Sequence, residues 1–316
     1  MCVLSITSFV SLRKVVPSAI EATVLTVLLT RHARQTIVAA GLAHGTKVES
    51  MRPFAVVTGA SRGIGAEYAK ALAAKGYDLL LVARDQARLE SIASDLIARH
   101  AVEVQTEIMD LSVPDAAQRL YVASRRRRAH VDLLVNNAGF GLFGPFIELP
   151  MPRIQEMLRL HVNTIAESMR LFLPAMVDRS SGAVINVAST AGFFSLPYMA
   201  EYAATKTFLV TLSRALAEEM QPFGVRIQAC CPGSTETDFH DTSGFRANNP
   251  LGSDTAANVV ADSLAALNRG PVVVTIGWRG RLVWWLTRLI PATLLTRIAG
   301  RWLRQRQIRQ GDQRKR

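Results

Sequence analysis

The sequence predicts a doubly wound α/β domain, a parallel sheet sandwiched between helices in three αβα layers. Two observations carry that prediction. Seven short apolar runs recur along the chain, several of them continuous rather than alternating, as expected of parallel strands buried on both faces. Between them lie stretches of helical length, entered or left through Gly, Asn or Pro. Alternating strand and helix over this length calls for right-handed crossovers onto one sheet. With 316 residues, 49% of them hydrophobic and 20% charged, the chain holds enough apolar material for a core, which excludes disorder across its whole length.

Taken in order, residues 1–50 show no strand alternation and no helical stripe that runs on into the body. They read as a poorly ordered extension ahead of Met51, with an amphipathic helix around 16–39 as the alternative. Arg13 and Lys14 precede an apolar stretch, but that stretch starts late and Glu21 interrupts it, so it makes a poor signal peptide. Strands are expected at 54–58, 78–83, 102–109, 131–136, 183–188, 225–231 and 272–276. Helices are expected at 63–75, 86–99, 114–127, 151–178, 198–221 and 254–268, with Pro114 and Pro152 in first-turn positions. The run Arg125 to Arg128 suits a helix end on a solvated face. The domain plan is therefore an extension at 1–50, a catalytic dinucleotide-binding domain at 51–277 and a basic, Trp-rich segment at 278–316.

The formal charge of +12 resembles a nucleic-acid signal until it is located. From Gly277 onward there are 11 Arg and Lys against one Asp, which leaves only +2 for the other 276 residues. A phosphate-binding face across the body is excluded, and no nucleic-acid partner is expected. Three cysteines make no disulfide framework; Cys230 and Cys231 sit in an apolar run that reads as buried strand in a reducing compartment. The six histidines are scattered without metal-ligand spacing, so no metal site is expected. No apolar run is long and clean enough to span a bilayer.

Chemistry enters at the end of the first strand. Thr58-Gly59-Ala60-Ser61-Arg62-Gly63-Ile64-Gly65 joins that strand to the first helix. Glycines there allow a tight turn and the approach of a pyrophosphate to the helix N-terminus. NAD calls for an acid at the end of the second strand, to accept from the ribose hydroxyls. Here Arg84 ends that strand, with Asp85 next, and Arg62 lies inside the loop. Two guanidinium groups suit a 2′-phosphate, so NADP (NADPH) is expected over NAD.

Tyr202 and Lys206 stand four apart near a helix start, on one face. A fixed cation lowers a phenol's pKa, which makes Tyr usable as acid or base. Lys206 is also the only Lys between Lys75 and Lys315. The chain resembles the short-chain dehydrogenase/reductase family, which is built on a compact Rossmann domain. The loop at 58–65 is similar to its TGxxxGxG pattern and Asn136-Asn137-Ala138-Gly139 to its NNAG motif. Ser189 stands 13 residues before Tyr202, like its Ser…Tyr-x-x-x-Lys, and Asn163 and Pro232-Gly233…Thr237 match two further segments. These matches fall in order at strand ends across about 55–277.

The resemblance implies roles. Tyr202 exchanges a proton with the substrate oxygen, Ser189 holds that oxygen, and Lys206 lowers the Tyr202 pKa and binds the nicotinamide ribose. Asn163 positions a proton-relaying water. Gly59, Ser61, Arg62, Gly63, Ile64 and Gly65 cradle phosphate, and Arg84 adds charge beside it. Asp110 meets adenine, while Asn136, Ala138 and Gly139 line the adenine and ribose. Pro232, Gly233 and Thr237 flank the nicotinamide. The family also implies a homodimer or homotetramer.

Substrate loops follow the strands. Phe140, Phe193 and Phe239 crowd them, with Phe245 and Arg246 nearby, and suggest an acyl, lipid-like or polycyclic carbonyl or alcohol. All four Trp lie between 278 and 302, interleaved with arginines. That pattern reads either as a lid over the pocket or as contact with a membrane surface. The reading is a cytoplasmic oxidoreductase, peripheral at the membrane if the tail docks. The alternative is a non-catalytic dinucleotide-binding sensor or scaffold docking through its tail.

Overall fold

The computed structural model describes residues 52–237, 252–268 and 270–314. The expected extension at 1–50 lies outside them. Seven strands form one parallel sheet in the order β3-β2-β1-β4-β5-β6-β9. They are β1 (Phe54–Thr58), β2 (Asp78–Ala83), β3 (Val104–Ile108), β4 (Leu133–Asn136), β5 (Gly182–Val187), β6 (Val225–Cys231) and β9 (Val273–Thr275). A two-residue pair, β7 (Thr235–Glu236) with β8 (Asp254–Thr255), was not foreseen, because it is too short to carry a pattern.

Successive side chains of each strand enter opposite layers, so the sheet carries two cores. Val56, Leu80, Leu134 and Val184 pack on one side with Phe172 and Leu209. Val57, Leu81, Val135 and Ile185 pack on the other with Tyr68, Leu72 and Leu89. Both faces of every central strand are covered, which is why those runs are apolar without alternation. Cys230 and Cys231 are buried in β6. Burial pushes the Cys230 thiol up to about 11 and Cys231 further in the same direction, so neither is an activated nucleophile.

The helices are α1 (Gly63–Ala74), α2 (Gln86–His100), α3 (Ala116–Arg127), α4 (Met151–Leu158), α5 (Thr164–Arg179), α6 (Ala200–Met220), α7 (Ala256–Ala266), α8 (Gly277–Leu289) and α9 (Ala292–Arg314). Three expectations are corrected. Pro114 precedes α3 instead of lying in its first turn, because Asp115 takes a left-handed conformation before the helix starts. Arg128 is not a solvated helix end; it is drawn onto the buried Asp78, with Glu103 at 3.0 Å, and closes the start of β2. The long helix expected at 151–178 is interrupted, with a π turn at Arg159–Asn163 joining α4 to α5.

The chain winds outward from β1 to β3 and then returns to place β4 on β1's other side, with Val57 beside Val135. The connections leaving β1 and β4 therefore diverge at their carboxyl ends. The crevice between them is where a ligand fits in an open α/β sheet.

Candidate active site

One wall of the crevice is the glycine loop latched onto the loop after β4. The Thr58 hydroxyl donates to Val135 O at 3.1 Å and accepts from the amides of Asn137 (2.9 Å) and Ala138 (3.1 Å). The Asn137 carboxamide donates to Thr58 O and Gly59 O at 2.9 and 3.1 Å. A Cβ on Gly65 would lie 2.2 Å from Gly59 O, so only glycine permits this approach of helix to loop. Asn137 was not singled out from sequence, yet it forms the latch. Asn136, expected to line a cofactor, is buried and donates to Asn186 Oδ1 at 2.8 Å, and Asn186 donates on to Ser213. Its side chain ties β4 to β5 to α6 below the crevice.

The first amides of α1 lack intrahelical acceptors, as at any helix N-terminus. Arg62 is exposed directly before them, with Ser61 and Ile64 half-buried on either side. Asp85, the candidate NAD acid, caps α2 by accepting from the Arg88 amide at 3.1 Å and pairs with the Arg88 guanidinium at 3.4 Å. Arg84 is exposed, 4.0 Å from Asp110. Partial burial alone would raise the Asp110 carboxyl; hydrogen bonds from Ser112 and the charges of Arg84 and Arg119 bring it below its ordinary value. Arg88, not foreseen from sequence, joins Ser61 and Ser91 around a shallow cavity of about 360 Å³. Thr237 rests its methyl near Gly63, so the segment after β6 folds over the loop, with Pro232 buried and Gly233 half-buried. Phosphate-sized anions fit this turn: close-packed glycines, open amides and three guanidinium groups nearby.

The other wall carries the candidate acid–base residues. Tyr202 and Lys206 occupy the first turns of α6 and are both buried. Ser189 caps the short helix Thr190–Phe193, accepting from Ala191 N at 3.1 Å, and also hydrogen-bonds the Tyr202 hydroxyl. A capping role and a site role thus coexist. Lys206 Nζ donates to Val187 O at 2.8 Å and lies 5.6 Å from the Tyr202 ring centroid. The expected effect of the cation on the phenol is not what the geometry yields. Burial dominates and pushes Tyr202 up to about 12, with the Ser189 hydrogen bond opposing it. The same burial brings Lys206 down to about 8. Asn163 ends the π turn, exposed, and shares no hydrogen bond with Lys206.

Sequence reading missed His161, two residues before Asn163 and fully buried. Its Nε2 accepts from Phe140 N at 3.1 Å. Its Nδ1 lies 3.0 Å from the Thr205 hydroxyl, which itself donates to Tyr202 O at 2.8 Å. With that hydroxyl proton spent, Nδ1–H must be the donor, so the ring is neutral. Burial, aided by Lys206, holds its pKa well below the usual 6.5. A Cβ on Gly139 would come 2.8 Å from His161 Nε2, so the glycine leaves room for the ring. His161 therefore braces the loop after β4 against the start of α6. Its only sequence signal was a polar residue at an inward-facing helical position.

Of the aromatic residues expected at the substrate, Phe140 is buried with the Arg153 guanidinium 4.4 Å over its ring. Its ring belongs to the core more than to the crevice. Phe193 is half-buried and meets Trp284 of α8 edge to face at 4.8 Å. Phe239, Phe245 and Arg246 lie outside the described residues.

A family model described as short chain dehydrogenase matches residues 53–246. The chain is 36% identical over 179 residues to a very-long-chain 3-oxoacyl-CoA reductase of Pyrenophora tritici-repentis, covering 55% of this chain and 52% of that protein. The match thus spans about half the length of that relative. Among solved structures, a short-chain dehydrogenase from Sphingobium yanoikuyae in complex with NADPH is 30% identical, with a TM-score of 0.68 over 76% of this chain and 96% of that one. A short chain dehydrogenase/reductase from Burkholderia phymatum in complex with NAD is 25% identical, with a TM-score of 0.66 over 75% and 92% of the two chains. The strand order, the latched glycine loop and the Ser–Tyr–Lys wall agree with what these matches indicate: the chain belongs to the short-chain dehydrogenase family.

Proposed function

We propose that this protein is an NADP-dependent oxidoreductase that reduces a hydrophobic carbonyl, with Tyr202 as the general acid. The observation that carries the reading is the placement of the Tyr202 phenol, buried, hydrogen-bonded to Ser189 and with Lys206 Nζ 5.6 Å from its ring. Such a phenol is protonated at pH 7 and donates to an oxygen that gains negative charge.

In this reading the Ser189 hydroxyl holds the substrate oxygen. Lys206, cationic below about pH 8, stabilises the charge left on Tyr202 as its proton departs. Asn163 holds a water that returns a proton towards Lys206. A bound dinucleotide supplies the hydride. Gly59, Ser61, Arg62, Gly63, Ile64 and Gly65 would hold its pyrophosphate, with Asp110, Ala138 and Gly139 at the adenine side and Pro232, Gly233 and Thr237 at the nicotinamide side. NADP is favoured because Asp85 is committed to capping α2, while Arg62, Arg84 and Arg88 supply positive charge. Similarity to the Pyrenophora reductase makes a long 3-oxoacyl chain a good candidate substrate class. A homodimer or homotetramer is the proposed assembly.

The test is oxidation of NADPH and NADH against a panel of apolar ketones, for wild type and Tyr202→Phe. The expected result is an NADPH preference and a loss on the order of 10³-fold in turnover for the variant, with NADPH affinity unchanged. Turnover that survives the substitution removes Tyr202 from its role, and a preference for NADH removes the cofactor assignment.

A further inference from the structure

Helices α8 and α9 turn their apolar side chains outward. Trp278, Leu282, Trp285, Leu286 and Leu289 are all exposed, Leu289 to 75%. They recur at i, i+4, i+7, i+8 and i+11, which is one face of a helix. On α9, Leu294, Ile298 and Trp302 repeat the pattern at i, i+4 and i+8. Half of the large apolar residues exposed among the described residues belong to these two stripes. Arg281, Arg288, Arg297, Arg301 and Arg304 are exposed beside them.

The opposite faces are anchored to the substrate loops. Trp284 meets Phe193 and is bracketed by the guanidinium groups of Arg288 (4.2 Å) and Arg214 (5.0 Å). Leu303 is buried, and Arg304 Nε donates to Tyr198 Oη at 3.2 Å. Tyr198 in turn lies 6.3 Å from the Phe143 ring and ties Gly144 N to its carbonyl at 3.0 Å. The outward faces are thus exposed while the inward faces hold the loops that follow β4 and β5.

We propose that α8 and α9 dock together on an anionic phospholipid bilayer, their stripes sunk into the boundary between headgroups and acyl chains. Charge selects this occupant. The segment from Gly277 carries a net +10, which draws it to anionic lipid and repels a second copy of the same face. Tryptophan on the apolar face and arginine around it suit that boundary. No described helix is long and apolar enough to cross a membrane, so the pair lies on the surface. Docking turns the loops around Ser189 toward lipid. A carbonyl on an apolar chain then enters from the bilayer, a consequence that rests on the proposed reductase activity.

The test uses the full chain with vesicles of phosphatidylcholine alone or with 30% phosphatidylglycerol. Expected are co-sedimentation with the anionic vesicles that weakens as salt rises, and a blue shift of Trp emission. Replacing Trp278, Trp285 and Leu289 together with Ser should weaken binding at least tenfold, with the circular dichroism spectrum and NADPH affinity unchanged. Equal partitioning of wild type and triple variant overturns the proposal, as does concentration-dependent self-association that buries these residues. Tyr202→Phe should bind vesicles like wild type, so loss of the enzymatic reading and loss of docking are told apart. For the entry route, turnover of a ketone dissolved in the vesicles should fall at least tenfold in the triple variant while turnover of a water-soluble ketone holds. Equal losses on both overturn that route.

Discussion

Helix α6 and helix α8 depart from ordinary burial in opposite directions. The start of α6 buries an ammonium, a phenol and a hydroxyl, each with a hydrogen-bonding partner. Helix α8 leaves two tryptophans and three leucines in solvent. Both arrangements cost free energy that a plain amphipathic helix would avoid. At α6 the cost falls on the folded state of this chain alone, since its polar groups are dry. At α8 it falls on the free protein and is relieved when a surface covers the stripe. On the readings proposed above, one helix stores chemistry and the other stores affinity.

That contrast breaks most easily at Lys206. Lys206→Met should reduce turnover by about 10³-fold. At pH 7 it should also raise stability, since an ammonium brought from 10.5 down to about 8 is charged at a penalty. After subtracting the lost bond to Val187 O, the gain is about 2 kcal/mol. Between about pH 8 and 10.5 the unfolded chain binds the extra proton, so wild-type stability rises and the gap to the variant closes. Thermal unfolding across that range checks the sign; a variant less stable at pH 7 contradicts the burial argument.

His161→Leu should cost about 3 kcal/mol, because the Phe140 amide and the Thr205 hydroxyl lose their partner inside the core. As pH falls below about 6.5, the unfolded chain protonates this histidine before the folded one does, so wild-type stability declines there. Denaturant melts should find that decline flatter in the variant. Trp284→Ala should cost about 2 kcal/mol through the lost ring and guanidinium contacts. Its kinetic mark is a raised KM for the carbonyl with an unchanged KM for NADPH. Smallest of all, Trp285→Ser and Leu289→Ser should each move stability by less than about 0.5 kcal/mol, since both side chains are mostly exposed. A large loss at either position would mean that the stripe is already covered in the free protein.

Much of this was legible in the residues. All seven sheet strands fall within the expected runs or one residue beyond them; the central ones are apolar because both their faces are covered, whereas the edge strand β3 (VQTEI) is only partly buried. The glycine loop and the Tyr202–Lys206 spacing were readable because backbone sterics and helical period are local rules. What escaped depended on distant partners. Asn136 and Asn137 are neighbours of one type, yet strand alternation sends the first under the sheet to Asn186 and the second onto Thr58 and Gly59. The π turn and His161 answer to Phe140 and Thr205, which lie 21 and 44 residues away. The direction of the Tyr202 shift also escaped, for spacing puts Lys206 near the phenol but only packing dries both groups.

Local order along the chain thus determined which elements form and how the sheet is layered. Tertiary structure alone decided how dry the side chains at the crevice are and which face of α8 looks outward. The reason is physical: steric preference and periodicity act over a few residues, whereas desolvation and exposure depend on every atom the fold brings near.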